Sequence, residues 1–297
     1  MSTGSSTEGS TESSTASSTA SAQPGGFTGA VVLAALDDSP AARPVAEVAL
    51  SLARLLRCRP EAVHVGTATG RTATATAEAV GLPFRNLPGE PVTVIAETVE
   101  APDVRAAVLG AHRLPGSRGP IGGTALAVAQ RVSKPVVIVP PDHRPAGTVR
   151  RLVLPLSGAP DVAALVAATV HAATESLVEV VALHVFDART VPRFWDQPQH
   201  EEPAWREEFL ARFSPTVPVR LVLRTGSVAA AVNAVVHEEQ ADLVLLAWAQ
   251  DVGPGHGEVV QQVLAEVPVP VALVPAQPRL LDLSGLTDQS AASRPGG

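Results

Sequence analysis

The chain has 297 residues, 45% of them hydrophobic, with a net charge of −7 and an isoelectric point near 5.6. That apolar fraction is ample for packed cores, and the acidic balance gives no electrostatic footprint for nucleic acid. The single cysteine, Cys58, excludes an intramolecular disulfide framework and a multi-cysteine zinc site, and fits a reducing cytoplasm.

Residues 1–26 are rich in Ser, Thr and Gly and lack apolar periodicity, so they read as a solvated tail without structure of its own. They carry neither the basic start nor the apolar stretch of a signal peptide. An apolar strand follows in AVVLAALDD, then a turn with Asp37 and Pro40, then a helix. Val45, Val48, Leu52 and Leu55 recur at helical spacing and form its buried stripe. Pro44 is tolerable only because it falls in the first turn. EAVHV reads as a second strand. PFRNLPGEPVTVIAETVE reads as strand, glycine turn and helix, and RAAVLG as a fourth strand. A glycine-rich loop leads to the helical run ALAVAQRV, and KPVVIVPP closes the unit.

The pattern then repeats. RLVLPLSGAP, VEVVALHV, VRLVLRTGSVAAAVNAVVHEE, ADLVLLA and VPVPVALVPA match the first series in order, with Pro135 aligned to Pro270. Strands of near-continuous apolar character alternating with helices indicate a parallel sheet covered on both faces. The expected architecture is two tandem five-stranded α/β domains, over 27–141 and 150–276. DHRPAGT links them within 142–149, and 277–297 form a second tail. Nothing resembles a run of about 18 uncharged apolar residues, so no membrane span is predicted. The segment 193–213 carries Phe194, Trp195, Trp205, Phe209 and Phe213. The last three share one helical face, which either covers the sheet or docks another chain.

Open parallel sheets bind ligands at the carboxyl ends of their strands. In the first copy Asp37 follows the first strand, Gly110 ends the fourth, and Gly122-Gly123-Thr124 opens a helix whose free N–H groups attract anions. Gly110 is followed by two residues, then Arg113, nine residues and Gly123-Thr124. The Arg113 guanidinium either pairs with phosphate or reshapes the loop. In the second copy Ser157, Ala247, Glu258 and Val259 replace Asp37, Gly110, Gly123 and Thr124, and the loop is two residues shorter. A carboxylate at that helix start repels phosphate. No nucleophile with an activating base is evident, and His112 reads as a ligand border or loop cap. Asp37-Asp38-Ser39 reads as a turn rather than a Mg²⁺ site.

The order of elements, LAALDDSPAA, HVGT, NLPGEP and VLGAH…GGTALAVAQRVSKPVVIVP together resemble the universal stress protein family, in tandem form, over about residues 29–276. The resemblance implies a Rossmann-like, adenine-nucleotide-binding type of fold and a non-enzymatic, stress-related role in the cytoplasm. By resemblance Asp37 contacts adenosine and Val65 lines the base pocket. Leu109, Gly110 and His112 border ribose and phosphate, and Gly122, Gly123 and Thr124 meet the phosphates; the spacing resembles that of the family's ATP-binding branch, with Arg113 where that branch has a glycine. The implied ligand is ATP with Mg²⁺ in the first copy and none in the second. The alternative is an interaction module that binds no nucleotide. The closing strands PVVIVP and PVALVP are expected to pair, within the chain as a pseudo-dimer or between chains as a homodimer.

Overall fold

The computed structural model describes residues 29–66, 70–111, 123–144, 147–156, 175–186, 203, 207, 219–252 and 257–276. The predicted aromatic face of 193–213, the tails, and the site positions His112, Arg113, Gly122 and Ser157 lie outside the described residues.

The first repeat runs β1 (Val31–Ala35), α1 (Ala42–Leu55), β2 (Arg59–Val65), α2 (Arg71–Val80), β3 (Phe84–Leu87), α3 (Pro91–Val99), β4 (Val104–Gly110), α4 (Gly123–Ala129) and β5 (Val136–Val139). The described part of the second has β6 (Arg151–Leu156), β7 (Glu179–Phe186), β8 (Arg220–Thr225), α5 (Val228–Glu239), β9 (Leu243–Trp248), α6 (Glu258–Glu266) and β10 (Val271–Pro275). The strands join in one ten-stranded sheet of order β3-β2-β1-β4-β5-β10-β9-β6-β7-β8. Each half is parallel, and its five strands follow the same order, read outward from the seam in mirror image.

At the seam β5 and β10 pair antiparallel, as Val136–Leu273, Val137–Ala272 and Ile138–Val271. Once Pro135 is aligned with Pro270, Val137 and Ala272 are equivalent positions facing each other. The seam is therefore a local two-fold built inside one chain, as expected for the closing strands.

Two cores cover the two faces. Val31 and Leu33 of β1 point to one side, with apolar residues of α3, α4, α5 and α6. Val32, Ala34 and Leu36 point to the other, with Val45, Val48 and Leu52 of α1 and Ala73 and Ala77 of α2. Both clusters cross the seam, so the halves share their cores. Helix α2 has no counterpart in the pattern reading. Its buried stripe is only two alanines in a Thr- and Ala-rich sequence, too weak an apolar signal to stand out.

Candidate functional site

Strand order places the switch point of the first repeat between β1 and β4. From β1 the chain builds β2 and β3 on one side, then crosses back to β4 on the other. Registers put Ala35 between Val63 and Leu109, so Asp37, Val65, Gly110 and Ala111 lie together at the carboxyl edge. Val65 and Leu109 are buried, Gly110 is half-buried, and Gly123 and Thr124 are exposed at the start of α4. A β-carbon on Gly123 would meet nothing within 4 Å among the described residues.

The turn after β1 is anchored residue by residue. His64 on β2 is buried, and its Nδ1 lies 2.9 Å from the carbonyl oxygen of Leu36. A carbonyl only accepts, so Nδ1 carries the proton in this bond. Asp37 Oδ1 accepts from the backbone N–H of Ser39 at 3.0 Å and from its hydroxyl at 2.6 Å. Asp38 Oδ1 accepts from the N–H groups of Thr72 at 2.9 Å and Ala73 at 3.1 Å. Those are orphan donors in the first turn of α2, and Gly70, at its N-cap, has no side chain to satisfy them. The acidic pair thus acts as turn former and remote cap. Among the described residues, no group of three or more His, Cys, Asp or Glu could hold a metal ion.

Gly70 is left-handed at φ +56, and its missing β-carbon leaves room for the His64 ring. The ring's Nε2 is buried without a hydrogen-bond partner among the described residues. The second repeat reproduces the anchor. His184 on β7 places Nδ1 2.8 Å from the Leu156 carbonyl oxygen, across the same 28-residue separation. Burial pushes the His184 pKa down, opposed by its bond to Leu156. Pattern reading missed this twin. The signal was present in two matching strand ends, AVHV and ALHV.

The second switch point is built differently. Ala247 and buried Trp248 end β9, where the first repeat has Gly110 and Ala111. Gly257 lies so close to Val252 that a β-carbon would sit 2.4 Å from the Val252 Cα. Glu258 opens α6 with its acidic side chain, and Val259 is exposed. Sequence and packing thus agree that Gly257 is tightly packed and that the helix after it opens on an acidic residue, where the first repeat has Gly123.

With that geometry in place, relatives can be compared. Residues 148–275 match the model of the universal stress protein family. The second half of this chain is a universal stress protein domain. Among curated proteins, none matches the sequence. A universal stress protein from Archaeoglobus fulgidus DSM 4304 is structurally similar over 84% of this chain and 100% of its own, with TM-score 0.60 and 16% identity. A functionally unknown protein from Pseudomonas aeruginosa PAO1 covers 89% of this chain and 97% of its own, with TM-score 0.58 and 13% identity. Both superpositions span the two halves, so the first repeat has the fold of the universal stress domain it precedes. The family match falls on the half whose switch point has lost the glycines.

Proposed function

We propose that the first repeat binds an adenine nucleotide, ATP with Mg²⁺, at the β1/β4 switch point, and that the second repeat is a scaffold binding none. The observation that carries this reading is the convergence of Asp37, Val65 and Gly110 from three adjacent strands at one carboxyl edge, with Gly123 and Thr124 exposed at the start of α4, the helix that follows β4 in the chain. Asp37 meets the nucleoside and Val65 walls the base. Backbone N–H groups around Gly123, with the Thr124 hydroxyl, meet phosphate. The role is non-enzymatic and cytoplasmic: ligand occupancy alters shape or partner binding. No helix among the described residues is long and apolar enough to cross a membrane.

Calorimetry of the full chain with ATP and Mg²⁺ tests this. Binding with one site per chain is expected; no heat and no thermal shift at millimolar ATP would refute it. Gly123→Glu is the informative control. It has room to fold and places in the first repeat the carboxylate that Glu258 places in the second. It should leave stability intact and abolish the heat. Retained binding would remove α4 from the site.

A further inference from the structure

Gln250 lies in the second repeat, just after β9, in the loop corresponding to the candidate phosphate loop of the first. It is left-handed, with φ +60, an uncommon conformation for a residue that has a side chain. Its side chain crosses the seam. Nε2 donates to the carbonyl oxygens of Ala129 at 2.8 Å and Val132 at 2.7 Å. Ala129 ends α4, where a helix leaves acceptors without internal partners, and Val132 lies in the turn that follows it. The amide has two N–H donors, and both are directed at this end. Helix α4 has only 7 residues, so tertiary contacts must hold it.

Two repeats of one fold therefore use corresponding loops differently. In the second, Gly257 lies close against Val252, and Glu258 opens the helix. The Gln250 amide is directed at the helix of its neighbour. By alignment, Gln250 stands three residues after Ala247, as Arg113 does after Gly110.

We propose that this loop has exchanged ligand binding for an inter-repeat grip, and that Gln250 is a positioning residue for the first repeat's site. It touches no ligand. By holding the C-terminal end of α4 it keeps Gly123 and Thr124, at the other end, in register with Asp37 and Gly110. This rests on the nucleotide reading of the first repeat.

The test uses the full chain with two variants. Gln250→Glu keeps size but replaces the donor with a carboxylate facing two carbonyls. Gln250→Arg keeps donors. Hydrogen exchange is followed at the last-turn amides of Gln130 and Val132, which bond to Leu126 and Val128, with amides of α1 and α5 as controls. Loss of two hydrogen bonds should speed exchange in α4 roughly tenfold in Gln250→Glu, with the controls unchanged. ATP affinity should fall severalfold in the same variant, and Gln250→Arg should retain both properties. Unchanged α4 exchange in Gln250→Glu would overturn the grip. Faster α4 exchange with unchanged ATP affinity would overturn the positioning role. If the unmodified chain binds no ATP, the nucleotide reading falls, and exchange alone decides whether Gln250 grips α4.

Discussion

Gly70→Ala probes the anchor beneath the candidate site. Two costs add. Alanine at φ +56 enters the left-handed region, at roughly 1–2 kcal/mol. The new methyl would also lie 2.7 Å from Cδ2 and 2.9 Å from Cγ of His64. That ring cannot swing away freely, because it is buried and its Nδ1 is held by Leu36. Overpacking of this kind costs about 1–3 kcal/mol. The total is about 2–5 kcal/mol, a large share of the stability of an ordinary domain. Urea unfolding of Gly70→Ala, His64→Ala and the double variant separates the terms. The steric part should vanish in the double variant and the backbone part should remain, giving a coupling of at least ~1 kcal/mol. A Gly70→Ala loss below about 0.5 kcal/mol, or additive variants, would show that His64 and Gly70 do not pack as described.

Three other outcomes follow from local geometry. Asp38→Ala removes the remote cap of α2 and should cost about 1 kcal/mol by urea unfolding, without changing the unfolding slope. Leu177 is 91% exposed with φ +58, so Leu177→Gly should raise stability by about 1 kcal/mol; a loss would show that its side chain packs somewhere. His184 binds its proton less readily when folded than unfolded. Its contribution is therefore complete above the ordinary value of 6.5 and is lost as pH falls through 6.5 toward the lower folded value. Urea midpoints should drop between about pH 7 and 5, and His184→Asn should flatten that slope. His143, shifted the same way by burial, leaves a residual slope in the variant.

Most of the framework was legible because burial on both faces writes each strand as an apolar run. Val31–Ala35, Val104–Gly110 and Leu243–Trp248 each announce themselves this way. The seam was legible too, since Pro135 and Pro270 mark the starts of equivalent strands. What escaped was non-local or small. Asp38 caps a helix 34 residues away, and no motif within the turn encodes that partner. Helix α2 packs through Ala73 and Ala77, whose side chains carry little hydrophobic signal. His64 and His184 were visible as letters, but their bonds to Leu36 and Leu156 need the strands side by side before they acquire a meaning. Gln250 likewise gains its role only once the seam brings α4 within reach.

Fusion of the repeats has a physical consequence for both divergence and assembly. If two identical chains met through the β5–β10 contact, every substitution would appear twice, once on each side of the two-fold. In a tandem chain a substitution appears once. Glu258 can then close one switch point while Gly123 leaves the other open, and Gln250 can reach across in one direction only. The same seam uses the closing-strand edge of each half, so β3 and β8 become the outer edges of the sheet. β3 has only 4 residues, and the two carry Arg85 on one and Arg220 and Arg224 on the other. Cationic side chains on outer strands oppose the addition of further strands. The internal pairing thus occupies the closing-strand edge of each half, and β3 and β8 are the edges left among the described residues.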